Sequence, residues 1–153
     1  MAREKDQAGV RFPPPLVFLG FLMLGPLIER FVQVPRLDIP WPIGAAIAAA
    51  GAALVIISLD PFRKTGQDPA PWTPSGSVID TGIYAHSRNP MYLGMALIHL
   101  GLAIVLHSWT ALLLLIVALL VIRTQVIARE ETYLEDKFGA AYLDYKQRVR
   151  RWL

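Results

Sequence analysis

The chain has 153 residues, of which 54% are hydrophobic and 18% charged, and a net charge of +3. That composition is too apolar for a disordered chain. The absence of cysteine excludes a disulfide framework, and the small basic excess argues against a nucleic-acid binder. Mean hydropathy is +0.43, and the charges are unevenly placed. Leu100–Ile122 carries none, and Leu37–Leu59 carries only Asp38.

A bilayer-crossing helix needs about 20 mostly apolar residues. Four stretches qualify in chain order: 16–34, 41–59, 91–107 and 109–127. The first holds Gly25-Pro26 and the adjacent Glu29 and Arg30, which are expected to pair because ionisable groups within membrane segments tend to do so. It lacks a small-residue cleavage site and is preceded by Pro13-Pro14-Pro15, so it reads as a membrane helix and not as a signal peptide. The third and fourth stretches are separated only by His107-Ser108-Trp109 and form an antiparallel hairpin. His99 lies within the third and is expected to hydrogen-bond between helices.

The expected fold is therefore all-α and integral to the membrane. It is one domain over 1–153, with about four transmembrane helices and a C-terminal cytoplasmic amphipathic helix. Four spans put thirteen of the fifteen basic residues on one side, leaving Arg30 and Arg36 on the other. The positive-inside rule makes the rich side cytoplasmic, with both termini and the 60–90 loop. In a bacterium the membrane would be the inner, plasma membrane.

Polar residues gather on that side. Asp60-Pro61 closes the second stretch, and a Pro- and Gly-rich loop follows. Pro90 suits the first turn of a helix, and Asn89 before it suits an N-cap. The free N–H groups of that helix start, reinforced by Arg88, would favour an anion. Beyond the fourth stretch come Glu130 and Glu131, and Phe138-Gly139 reads as a helix stop. An amphipathic segment then carries Tyr142, Tyr145 and Val149 on one face, and its basic residues Lys146, Arg148, Arg150 and Arg151 are expected to meet lipid headgroups. No metal-ligand spacing, phosphate loop or nucleophile–base motif stands out.

Two segments carry more than periodicity. Gly82-Ile83-Tyr84, followed after three residues by Arg88-Asn89-Pro90-Met91-Tyr92-Leu93-Gly94, resembles one signature of the isoprenylcysteine carboxyl methyltransferase family. Glu130-Glu131, Leu134, Phe138-Gly139, Tyr142, Tyr145, Val149 and Arg151, in that spacing, resemble its C-terminal signature. The resemblance covers roughly residues 58–153, and the family is related to membrane phospholipid methyltransferases. Asn89 stands where that family usually has His, and it cannot take up a proton near neutral pH.

The resemblance implies a membrane methyltransferase that uses S-adenosylmethionine, held in a cytoplasm-facing pocket built by segments 82–94 and 123–151. Its cofactor-binding residues would be Tyr84, Arg88, Asn89, Pro90, Tyr92, Glu130, Glu131, Tyr142 and Tyr145. Arg88, Arg123 and Glu130 would serve the reaction, with Arg123 or Arg129 pairing an acceptor carboxylate; Arg123 is preferred because it follows a charge-free run and would be costly to bury unpaired. The acceptor would be lipophilic, an isoprenylcysteine-like carboxylate or prenylated substrate reaching the site from membrane lipid, with phospholipid or other amine methylation as the alternative. A non-catalytic binding or assembly protein on the same fold is the remaining reading.

Overall fold

The computed structural model describes residues 6–10 and 12–152. Six helices follow in order: α1 (Pro14–Glu29), α2 (Trp41–Thr65), α3 (Pro90–Val105), α4 (Trp109–Val121), α5 (Ala128–Phe138) and α6 (Ala140–Arg148). A 3₁₀ turn, Gly82–Ala85, precedes α3, and a π-helical segment, Ile122–Ile127, joins α4 to α5 without a break. No strand occurs among the described residues. The chain is all-helical, as expected.

Of the about four spans expected, two are shown by length and composition among the described residues. Only α2, with 25 residues, and the continuous Trp109–Phe138 helix, with 30, are long and apolar enough to cross a bilayer. Helices α1 and α3 have 16 residues each, a rise of about 24 Å against a hydrocarbon core of about 30 Å. The first helix ends at Glu29, short of the expected Val34. Of the apolar stretches in the two long helices, only 17% and 28% is buried. Outward-facing Leu113, Ile116, Val117 and Leu120 on α4 and Ile43, Ile56 and Ile57 on α2 are exposed. A soluble core helix would bury such residues; a lipid-facing helix leaves them outward.

Small residues set how closely the helices pack. A Cβ on Gly51 of α2 would lie 2.6 Å from the Gly94 carbonyl oxygen of α3, and one on Gly101 would lie 2.4 Å from that of Gly44. The α2–α3 backbones thus touch directly, as membrane helices do where glycine permits. Gly25 does the same for α1 against Ala111 of α4. Above these contacts, Phe18, Tyr92, Ala96, Leu115, Ala118 and Ile122 form the core that joins α1, α3 and α4.

At the α3–α4 turn, Glu29 does not pair with Arg30. Its Oε1 accepts from Ser108 Oγ at 2.9 Å and from the Thr110 N–H at 2.8 Å. Ser108 Oγ in turn caps α4 by accepting from the Ala111 N–H at 3.0 Å. A carboxylate is well placed there, because the start of a helix carries free N–H groups and the positive end of its dipole. Next to it, the Leu37 N–H donates to the His107 carbonyl at 3.0 Å, and His107 Nδ1 meets the Leu37 carbonyl at 2.9 Å. His99 bridges helices as expected, with Nε2 2.9 Å from the Ala111 carbonyl of α4.

Candidate active site

At the other end of the bundle a cavity of about 130 Å³ opens between the start of α3, α5, α6 and the loop after α2. That is smaller than the ~300–1,000 Å³ usual for ligand pockets. Tyr84, Arg88, Asn89, Tyr92, Glu130, Glu131, Tyr142 and Tyr145 all line it, so two segments 38 residues apart at Tyr92 and Glu130 meet on one volume. Pro90 is not part of the wall; it is buried in the first turn of α3.

Local sequence explains the placement. Pro90 starts α3 as predicted, but Asn89 does not cap it. Its Nδ2 donates instead to the Arg151 carbonyl at 2.9 Å, and the Arg88 N–H donates to the Arg150 carbonyl at 3.0 Å. The chain after α6 is thereby tied across the beginning of α3, and the side chain leaves the helix N–H groups there uncapped. On the second segment, Gly139 adopts φ 53° and turns α5 into α6. That turn folds Tyr142 and Tyr145 back, and with Val149 they pack against Val78, Leu134 and Phe138.

The two adjacent carboxylates have different surroundings. Glu131 is buried. Arg151 grips it with two hydrogen bonds, Nε to Oε1 at 3.0 Å and Nη2 to Oε2 at 2.6 Å, and Arg88 Nη1 approaches Oε1 at 2.9 Å. Glu130 has no cation among its described neighbours. It accepts one hydrogen bond, from the Tyr92 hydroxyl at 2.7 Å. Burial, with the Glu131 charge adding to it and the Tyr92 bond opposing, pushes the Glu130 carboxyl up to about 7.

Arg88 is also incompletely satisfied. Its side chain is 9% exposed, yet Nε and Nη1 make no hydrogen bond among the described residues, because the Glu131 contact is close but badly angled. Buried N–H groups without acceptors are rare in folded proteins, so the cavity wall presents donors at Arg88 and an acceptor at Glu130. The tyrosines are mostly engaged in holding that wall. Tyr145 donates to the Tyr84 carbonyl at 2.8 Å, and Tyr142 and Tyr145 pack edge to face at 6.0 Å. Burial raises the Tyr142 hydroxyl up to about 12 and lifts Tyr84 and Tyr145 as well, so all three stay neutral donors.

Arg123 sits elsewhere. It is exposed on the π-helical segment and does not line the cavity. The basic tail is also less free than its composition indicated, because three of its cations meet carboxylates of this chain. Lys146 pairs with Glu135, Arg148 with Asp80 and Asp144, and Arg151 with Glu131. Sequence reasoning missed Phe62, Asp68, Met91 and Tyr133, which also line the cavity. Tyr133 lies one turn after Glu130 on the same helix, a spacing that would have marked it.

The family model for phospholipid methyltransferases matches residues 41–141, which contain the whole first segment and the second as far as Ala141, short of Tyr142, Tyr145, Val149 and Arg151. The chain belongs to the phospholipid methyltransferase family. Among similar proteins, an uncharacterized protein of Haemophilus influenzae is 54% identical over 63 residues, covering 41% of this chain and all of that protein. Two proteins named protein-S-isoprenylcysteine O-methyltransferase, from Schizosaccharomyces pombe and Saccharomyces cerevisiae, are each 35% identical over 72 residues. Those matches cover 47% of this chain and 30% of each yeast protein. No solved structure matches. A phospholipid methyltransferase family member with two long, poorly buried apolar helices belongs in a membrane, and methyltransferases of this kind use S-adenosylmethionine in general.

Proposed function

We propose that this protein transfers a methyl group from S-adenosylmethionine to a lipophilic acceptor at the cytoplasmic face of the membrane. The observation that carries the reading is the meeting, on one cavity wall, of an Arg88 guanidinium that Glu131 satisfies only in part and a Glu130 carboxylate with no cation among the described residues. The methionyl end of the cofactor is a zwitterion and needs both. Arg88 and the uncapped start of α3 suit its carboxylate, and Glu130 suits its ammonium. Asn89, Pro90 and Glu131 hold these two groups in place, Tyr92 orients Glu130, and Tyr84, Tyr142 and Tyr145 form the rest of the wall.

When bound, the cofactor supplies an activated methyl group. The chain's own part is alignment for in-line displacement and exclusion of water, which can supply much of the rate. The acceptor favoured is the carboxylate of an isoprenylcysteine-like or prenylated substrate, because the yeast relatives carry that activity in their names and a carboxylate needs no base. Methylation of a phospholipid or other amine is the second reading. A carboxyl poised at about 7 would serve there as the base that takes the ammonium proton. Arg123, at the membrane end of the π-helical segment, would act in either case on the acceptor's approach and not at the transferred methyl.

Label transfer from methyl-labelled cofactor separates the acceptors. Base-labile label on a farnesylcysteine analogue marks carboxyl methylation. Base-stable label in phosphatidylethanolamine marks the amine reaction. Label in neither, with no cofactor bound, would leave the fold as a non-catalytic module and overturn the proposal.

A further inference from the structure

The cavity is not walled by firm structure on every side. Its α3, α5 and α6 walls are held by buried contacts: the Glu131–Arg151 pair, the Tyr145–Tyr84 bond and the Tyr142 cluster. The remaining side is formed by two segments that belong to no helix, the loop from Gln67 to Ile79 and the stretch around Ala8.

The loop is stiff but weakly attached. Gln67 closes its base. Gln67 Oε1 accepts from the Gly76 and Ser77 N–H groups at 2.7 and 3.2 Å, and Nε2 donates to Ser77 Oγ at 2.9 Å. Pro69, Pro71 and Pro74 restrict the chain between. Among the described residues the loop's side-chain hydrogen bond to α5 runs from the Ser75 N–H to the Tyr133 hydroxyl at 3.1 Å, and at its far end Val78 packs against Tyr142 and Tyr145.

The same hydroxyl holds the other segment. Tyr133 donates to Asp6 Oδ1 at 3.0 Å and accepts from Lys137 Nζ at 3.0 Å, while Lys137 also pairs with Asp6. A phenol has one donor and two acceptor sites, and here all three are filled, two by the roof segments through Asp6 and Ser75 and the third by Lys137. Further along, the Gly9 carbonyl accepts from Arg129 at 2.8 Å, and Val10 is buried in the core. The stretch is therefore anchored at Val10 by burial and at Asp6 only by exposed polar contacts to Tyr133 and Lys137.

We propose that Tyr133 is a positioning residue that latches the Gln67–Ile79 loop and the residue 6–10 strap together over the cavity. The cofactor is water-soluble and exchanges through this roof, whereas the lipophilic acceptor arrives from the bilayer. One hydroxyl couples the two roof segments, so they open and close together. Exposed hydrogen bonds of this kind are where local opening is easiest, and gating of this kind often limits turnover. The cofactor part of the inference rests on the function proposed above; the coupling of the two segments does not.

Tyr133→Phe keeps the ring and removes the hydroxyl. In the cofactor-free protein, amide exchange of residues 6–10 and 68–78 should rise together by about tenfold, the expected consequence of losing two modest hydrogen bonds, while α6 is unchanged. In the holo protein, release of S-adenosylhomocysteine should quicken by a similar factor, and the cofactor KM should rise with the acceptor KM unmoved. Wild-type exchange in both segments of the variant, or a rise in one alone, would overturn the latch. So would an unchanged release rate. Failure of the wild-type protein to bind S-adenosylhomocysteine would instead strike the proposed function, and the exchange measurement would still decide the coupling.

Discussion

The two ends of the bundle each hold a polar cluster built around a glutamate, a serine or tyrosine, and the start of a helix. At the α3–α4 turn, Glu29 takes the Ser108 hydroxyl and the Thr110 N–H, Ser108 caps Ala111, and Leu37 and His107 exchange backbone and ring contacts. The donors that Glu29 could serve are served. At the cavity end, Glu131 is equally complete, but its neighbours Glu130 and Arg88 are not. The difference separates architecture from a site. A buried polar group with its partners in place specifies packing, whereas Arg88 and Glu130 line a cavity with bonding capacity to spare; His99 Nδ1 also lacks a partner among the described residues but lies between helices away from that cavity.

Substitutions can break this contrast in graded steps. Glu131→Ala should have the largest effect, about 3–5 kcal/mol of stability, because it strands Arg88 and Arg151 in a largely buried place. Thermal unfolding in detergent should show the loss, and cofactor binding should go with it. Glu130→Gln should do the reverse. Burial already disfavours its ionised form, so the melting temperature should hold or rise while cofactor affinity falls about tenfold or more, consistent with ~1.5–3 kcal/mol for a hydrogen bond to a charge. An equal loss of stability in both variants would erase the distinction between the two carboxylates. Ser108→Ala should cost about 1 kcal/mol as a lost cap and leave cofactor affinity untouched. Tyr145→Phe should be smallest, about 0.5–1.5 kcal/mol, detectable as a small shift in melting with a near-normal cofactor KM.

Much of the site was legible because its residues come as two short segments with fixed spacing. Eight of the nine residues expected at the cofactor line one cavity. Helix starts at Pro90 and the stop at Gly139 were equally readable, since proline and glycine act through their own backbone limits. What escaped were partner choices made in three dimensions. Asn89 has the chemistry of a cap, but the Arg151 carbonyl lies within its reach and takes it. Glu29 sits beside Arg30 in sequence, yet the neighbouring helix start offers two donors that a side chain one position away cannot match. Span length also misled, because hydropathy does not register where a helix such as α1 stops hydrogen-bonding. The loop carrying Asp68 and Ser75 has no periodic pattern, so its place over the cavity was invisible.

The pH dependence of cofactor binding reports on the unpaired carboxylate directly. Glu130 is raised to about 7, so it is largely protonated below that pH and ionised above it. If the carboxylate holds the ammonium, binding gains strength as pH rises through about 7 and weakens by up to about tenfold per unit below it. The most direct test is a calorimetric titration of S-adenosylhomocysteine into the detergent-solubilised protein on both sides of that pH. The predicted result is binding that tightens with rising pH in the wild-type protein, a flat profile in Glu130→Gln, and little binding in Arg88→Ala. No measurable binding by the wild-type protein at millimolar ligand, at any pH, would contradict the account.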